Sequence, residues 1–271
     1  MGKLLTRMVS GVLFGMILTF AILYSKETFM VLFYLIMLVC MFEFNRMIGV
    51  NSIFPYLIGT LLFLLIINLA IEEFHSKIIF EYTGLVLFLS IFFSFLSVLF
   101  EQKNTAALHL GKIFLSIFYI VIPFSLMVRI PFLNASFAYV NTTILGVFIL
   151  IWTNDSFAFF VGKNLGKHKL LERVSPNKTI EGFIGGMVFT FIAGFILATQ
   201  FNTYPLIQWL VIAGIVSVFG VLGDLIESVF KRQAGIKDSS NCIPGHGGFL
   251  DRFDSVIFAA PFIFIYLQFI Q

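Results

Sequence analysis

Charge is what this chain has least of. Only 11% of its 271 residues are Asp, Glu, Lys or Arg, against about 25% in an ordinary soluble domain. That scarcity excludes a large soluble core. Cysteine is nearly absent too: Cys40 and Cys242 lie far apart, with no CxxC. Neither a disulfide nor a zinc site is supported. Strict apolar–polar alternation is missing, which argues against a membrane β-barrel. Lys3 and Arg7 precede an apolar stretch, but no small-x-small cleavage site follows at "AILYSKE". The first apolar run is therefore expected to be retained as a span.

What the chain has instead is grease. It is 59% hydrophobic with a mean hydropathy of +1.02. Nine apolar stretches fall at about 8–24, 28–48, 54–71, 79–100, 111–130, 138–161, 180–200, 205–229 and 252–270. Roughly 20 apolar residues cross about 30 Å of hydrocarbon as a helix, and helices satisfy their own backbone in lipid. The expected fold is an all-α, polytopic transmembrane bundle of about nine spanning helices with a cytoplasmic N-terminus. The basic residues support that orientation. On this plan 14 of the 17 lie inside: Lys3, Arg7, Arg46, Lys103, Lys112, Lys163, Lys167, Lys169, Arg173, Lys178, Lys231, Arg232, Lys237 and Arg252. Lys26, Lys77 and Arg129 lie outside. The net charge of +3 therefore understates a basic inner face suited to anionic headgroups or nucleotides.

The chain divides in character. Residues 1–130 are N-terminal spans for packing, lipid contact or oligomerisation, with no convincing repeat. Their few polar features are Glu43 with Arg46, spaced to pair, and Glu72, Glu73 and His109. A structural or snorkelling role suits Glu43 and Arg46 better than catalysis. Gly11 and Gly15 form a GxxxG, a weak helix-packing signal. Residues 131–271 form the expected catalytic region, with two long inner loops at 162–179 and 230–251.

The polar residues of that region fall into patterns. In "GDLIESVFKR", Asp224, Glu227, Ser228 and Lys231 share one helix face. Glu227 is partly offset by Lys231, whereas Asp224 lies a turn deeper and needs its own partner. A carboxylate in a span marks a functional site by default; the plainer reading is an interhelical hydrogen bond. In "LDRFDS", Asp251 and Asp254 sit in the first turn of the last helix, where capping accounts for one acid more readily than two. Three carboxylates meeting at the membrane boundary repel unless a cation lies between them. Their all-oxygen chemistry suits Mg²⁺, with Asp224, Asp251 and Asp254 as the expected ligands. Between the helices, "IPGHGG" offers Gly245, Gly247 and Gly248 for an anion-binding nest. The helix start beyond it is positive, and Lys231, Arg232, Lys237 and His246 surround it. In "ERVSPNKTIEG", Ser175 or Asn177 is expected to precede a helix starting near Lys178, with Thr179 and Gly182 at its start. Lys178 could hold a phosphate there; a capped helix with a solvated basic loop is the plainer reading. Asn154 and Asp155 interrupt the sixth run and point to a polar cavity.

"SVFKRQAGIKDSSNCIPGHGGFLDRFDS", residues 228–255, resembles the signature of the phosphatidate cytidylyltransferase (CDP-diacylglycerol synthase) family. Ser228, Lys231, Arg232, Lys237, Asp238, Pro244, His246, Gly247, Gly248, Asp251, Arg252 and Asp254 carry the likeness. "GDLIES", the "ND" of the sixth run and "SPNKTIEG" add to it. Asn177 stands where relatives commonly have lysine, and Phe249 where an aliphatic is usual. The resemblance implies transfer of the cytidylyl group of CTP to phosphatidic acid, giving CDP-diacylglycerol and pyrophosphate. It implies Mg²⁺ and a second cation such as K⁺, an enzyme integral to a bacterial-type inner membrane with its site facing the cytoplasm, a homodimer by analogy, and no nucleic-acid partner. It gives catalytic roles to Asp224, Asp251, Lys231, Lys237 and His246. Substrate binding falls to Asp155, Ser175, Lys178, Thr179, Arg232, Gly247, Gly248 and Arg252. The rival readings are another CTP-dependent lipid enzyme such as a lipid kinase and, further off, an ion-coupled transporter. A CDP-alcohol phosphotransferase is excluded by the lack of its DGxxAR motif.

Overall fold

A computed structural model describes residues 2–68, 77–97, 106–134 and 137–270. Its helices are α1 (Gly2–Tyr24), α2 (Lys26–Ile48), α3 (Phe54–Asn68), α4 (Lys77–Ser97), α5 (Ala106–Ser116), α6 (Ile122–Arg129), α7 (Asn141–Leu165), α8 (Ile180–Gln200), α9 (Leu206–Gln233) and α10 (Leu250–Ile270). One π-turn, Ile117–Val121, joins α5 to α6, and a 3₁₀ turn, Ile130–Phe132, ends that span. Among the described residues, six helices are long and apolar enough to cross a membrane: Lys26–Ile48, Ala107–Phe132, Asn141–Leu165, Ile180–Gln200, Leu206–Gln233 and Leu250–Ile270. Shorter apolar helices, Val9–Tyr24, Phe54–Asn68 and Tyr82–Leu96, fall within the other three apolar runs. The protein is an integral, helical membrane protein. Glu72, Glu73 and Lys103 lie outside the described residues, as do the side chains of Lys3, Arg7 and Lys77.

Local chemistry sets the helix ends. Ser25 and Thr28 form a reciprocal capping box before α2, and Gly49 closes that helix at φ 72°. The first inner loop is shorter than expected and is not irregular throughout. After α7 ends at Leu165, β1 (Lys169–Leu171) and β2 (Ser175–Thr179) form a small antiparallel hairpin. Pro176 holds Ser175 extended, and the helix expected near Lys178 begins two residues on, at Ile180. Thr179 is the cap of α8, its Oγ1 accepting from the Gly182 N–H at 3.1 Å. Glu181 ties the hairpin down by accepting from the backbone N–H groups of Lys167 and His168 at 3.0 and 3.2 Å.

Aromatic packing sets the height of α10 in the bundle. Phe253 is fully buried. Its ring meets Phe14 of α1, Phe33 of α2, Phe124 of α6 and Phe148 of α7 at 6.0, 6.0, 5.4 and 6.3 Å. Edge-to-face and tilted contacts of this kind add to the gain from burial. Because Phe253 lies between Asp251 and Asp254, the same packing places both acids.

Small residues let the C-terminal helices approach closely. A Cβ on Gly182 would lie 2.7 Å from the Ala158 carbonyl and 3.0 Å from Gly162 Cα, so α7 and α8 touch backbone to backbone. Gly223 does the same for α9 and α10, where a Cβ would overlap the Asp254 carbonyl oxygen. The GxxxG of α1 serves another purpose. Gly11 accommodates the His246 ring, 3.1 Å from a notional Cβ, and Gly15 has nothing within 4 Å.

Gly223→Val should therefore force α9 from α10. Overpacking against side chains costs about 1–3 kcal/mol, and backbone yields less. The thermal midpoint of purified protein should fall by on the order of 5 °C or more, at roughly 2–4 °C per kcal/mol. Gly15→Ala should change it little. Equal midpoints for the two variants would refute the close approach at Gly223.

Candidate active site

The irregular segment between α9 and α10 is organised by a residue far away in sequence. Glu43 of α2 is 1% exposed. One carboxylate oxygen accepts from Ser240 Oγ (2.6 Å) and the Phe249 N–H (3.1 Å); the other accepts from Ser239 Oγ (2.8 Å) and the Leu250 N–H (2.9 Å). A buried carboxylate is tolerable only when hydrogen-bonded in this way. Here it gathers both ends of the loop onto α2. Glu43 is not paired with Arg46 as its spacing allowed; its partners lie about 200 residues on.

Asp251 completes the frame. Its Oδ2 accepts from Ser239 N and Oγ, both at 2.9 Å, and from the Gly248 N–H at 2.8 Å. Of the three glycines expected to form a nest for a substrate anion, one gives its amide to a carboxylate of the protein itself, and the two amides that follow it do the same. The Gly248 N–H is held by Asp251, and those of Phe249 and Leu250 by Glu43. Gly245 and Gly247 adopt φ 78° and 85° to make the turn. Gly248 serves packing: a Cβ there would overlap Ser239 Oγ and the Glu43 carboxylate.

Lys231 links this frame to α9. It is 8% exposed, and its Nζ donates at 2.6 Å to both Glu227 Oε2 and Asp251 Oδ1. Beyond it lies the acidic centre. Asp224, Glu227 and Asp254 bring one oxygen each to within 4.8 Å of one another. Glu227 is fully buried, and its Oε1 has no hydrogen-bond partner. Asp254 is 8% exposed and accepts only from the Ser255 N–H at 2.7 Å among the bonds described. Asp224 accepts from Ser228 Oγ at 3.3 Å and pairs with Lys178 Nζ at 2.5 Å. An orphaned carboxylate oxygen inside a cluster of three acids is the environment a hard cation fits.

Of the three expected metal ligands, Asp224 and Asp254 come together with Glu227 beside them, and Asp251 adjoins the trio through Lys231. Asp251 stands beside the trio, its oxygens spent on Lys231, Ser239 and Gly248. The reason is the face each side chain takes: Phe253 turns into the core, so Asp254 meets α9 while Asp251 faces the loop.

The other expected residues fall around this centre. Asp155 is exposed on α7, and the charges of Asp224, Lys178 and Arg252 act on it. Its neighbour Asn154 is buried and accepts from Thr190 Oγ1 of α8 at 3.4 Å, a helix-packing bond. His246 is held at Nδ1 by Ser10 Oγ of α1 at 2.8 Å, and the same hydroxyl donates to the Pro244 carbonyl at 2.9 Å. Arg252 donates to the His246 carbonyl (2.8 Å) and Arg232 to the Ile236 carbonyl (3.2 Å), both from exposed positions. Lys237 is exposed. Ser175 stands in the hairpin opposite Leu171, and Thr179 is occupied as a cap. Sequence reasoning missed Ser10, Ser239 and Ser240, and gave Glu43 too small a part. The signal for Glu43 was its place: an acid inside an apolar run needs donors, and the signature loop holds the densest supply.

Residues 5–270 match the cytidylyltransferase family. Over 268 residues the chain is 38% identical to the phosphatidate cytidylyltransferase of Bacillus subtilis, covering 96% of each chain. It is 42% identical over 150 residues to the enzyme of the same name from Staphylococcus saprophyticus, 52% of this chain and 57% of that one. With the Staphylococcus haemolyticus protein it shares 48% identity over 126 residues, 46% of this chain and 48% of the relative.

Removing the Glu43 carboxylate leaves Ser240 Oγ and the Phe249 and Leu250 amides without their acceptor, while Ser239 keeps Asp251. At about 1–3 kcal/mol for each unsatisfied buried donor, Glu43→Ala should destabilise by about 3 kcal/mol or more and expose residues 234–249 to trypsin. Glu43→Gln should fall between it and the wild type. An unchanged melting curve and digestion pattern for Glu43→Ala would show that the loop is held by something else.

Proposed function

The chain belongs to the cytidylyltransferase family, and from that membership we propose how its acidic centre works. The protein transfers the cytidylyl group of CTP to phosphatidic acid, giving CDP-diacylglycerol and pyrophosphate. In our reading Asp224, Glu227 and Asp254 hold a divalent cation, Mg²⁺, with Asp251 as the adjoining carboxylate. The observation that carries it is the unpartnered, fully buried Glu227 Oε1 within the acid trio. Bound there, the ion supplies neutralisation of charge on the α-phosphoryl oxygens and the leaving pyrophosphate. The acid excess supports a second cation such as K⁺ on the Asp155 side. Among the described residues, the cations paired with or acting on Asp155, Asp224, Glu227 and Asp251 are Lys178, Lys231 and Arg252.

The chain's own residues bind and orient. Lys231, fixed between Glu227 and Asp251, is a rigid cation at the reacting phosphates. Lys178 sits on a hairpin and pairs with Asp224 across helices; a nucleotide triphosphate offers it a stronger partner than one carboxylate. Arg232, Lys237 and Arg252 form an exposed basic rim for the remaining phosphate charge. Ser10 holds the His246 ring beside that rim. A phosphate oxygen of phosphatidic acid attacks the α-phosphorus of CTP, and the bond to the β-phosphate bridging oxygen breaks in line as pyrophosphate departs. Phosphatidate is already largely ionised near neutral pH, so no strong base is needed. An apolar groove of about 630 Å³ runs along α1, lined by Val12, Gly15, Met16, Phe20, Leu23 and Trp152. Its apolar lining supports lateral entry of the lipid. The inner-face excess of lysine and arginine supports a site facing the cytoplasm in a bacterial-type inner membrane.

Purified protein given labelled CTP, phosphatidic acid and Mg²⁺ should release pyrophosphate as label passes into the lipid phase, and chelation should abolish this until Mg²⁺ is restored. Charge stabilisation of several kcal/mol, at 1.36 kcal/mol per decade, predicts at least about a 100-fold loss for Asp224→Asn or Glu227→Gln. Turnover insensitive to chelator would overturn the cation reading; turnover unaffected by either variant would remove those residues from it.

A further inference from the structure

The span built from α5 and α6 is interrupted by one π-turn, Ile117–Val121, a feature often found at functional positions. At its centre is Tyr119, 8% exposed. Its ring is clamped by Phe44 at 4.9 Å and Phe230 at 5.3 Å. Phe44 follows Glu43, and Phe230 lies directly before Lys231, so the clamp joins the two helices that carry the site. The hydroxyl has no hydrogen-bond partner. Glu227 is the charge that acts on it most strongly, followed by Asp254 and Asp224.

Packing gives no reason for that hydroxyl. The chain uses phenylalanine 37 times and tyrosine 8 times, and a phenylalanine at 119 would keep both ring contacts. It would also remove a buried, unbonded phenol, which is unfavourable to the fold. The phenol, packed on Phe230 one helical turn from Glu227, and Glu227 Oε1 itself are thus both left without a partner.

We propose that Tyr119 is a positioning residue of the catalytic centre, its O–H donating to the Glu227 carboxylate when the Asp224, Glu227 and Asp254 site is loaded with a divalent cation. The inference rests on the cation reading above. Glu227 is shared between Lys231 and the acid trio, and a neutral donor on its far side fixes the carboxylate without adding charge. A phenol suits the task because it donates without ionising at neutral pH.

Tyr119→Phe in the full-length purified protein separates this role from packing. Without metal its thermal midpoint should equal or exceed that of the wild type. The Mg²⁺ concentration giving half-maximal turnover should rise about 10-fold, the lower end for losing a partner of a metal ligand. The upward shift in midpoint produced by Mg²⁺ alone should need correspondingly more metal. A lowered metal-free midpoint would show the hydroxyl to be a packing group and overturn the proposal, as would an unchanged Mg²⁺ titration. If the wild type itself shows no Mg²⁺ response, the cation reading falls and takes this inference with it.

Discussion

A single buried carboxylate underlies the charged end of this molecule. Glu43 sits inside an apolar helix, where an unpaired charge is expensive, and its four hydrogen bonds reach two serines and two backbone amides of the distant C-terminal segment. Without that anchor the segment between α9 and α10 has little apolar surface with which to fold. With it, Ser239 and Gly248 are placed to hold Asp251, Asp251 to hold Lys231, and Lys231 to hold Glu227. The chain of contacts runs from α2 through the loop to α10 and α9. Each link is a charged group whose burial is offset by the next.

A chain with so little charge has concentrated it where two solvents meet. Lipid around α7 to α10 leaves the acids few partners except one another and the two lysines. Glycines provide the approach this requires. Gly223 seats α9 on the backbone of α10 one residue before Asp224, and Gly182 seats α8 on α7 beside the hairpin that delivers Lys178. The aromatic cluster around Phe253 then fixes which acid looks inward. Packed helices lie below this acidic centre and the polar loop lies above it.

Much of this was legible beforehand, for stated reasons. Apolar runs locate membrane helices because hydrocarbon tolerates almost nothing else, and the C-terminal helices lie within a few residues of the expected runs. Asp224, Glu227 and Lys231 were placed on one face because helical spacing is regular. The hairpin at 169–179 was missed because its strands are too short for alternation to register, although Pro176 marked the break. The GxxxG of α1 misled because spacing cannot tell a helix partner from a histidine ring.

Composition and periodicity by themselves determined that this protein is a membrane-embedded helical bundle with its acids and cations gathered at one end. Only the tertiary structure decided which acids share a centre: Glu227 with Asp224 and Asp254, and Asp251 with Glu43's loop. It also decided that the amides of Gly248, Phe249 and Leu250 are held by the protein's own carboxylates. Spacing fixes the angle of a side chain about its own helix. The rotation of one helix against another, and the pairing of Glu43 with donors about 200 residues away, depend on how Phe253, Gly223 and their neighbours pack in three dimensions.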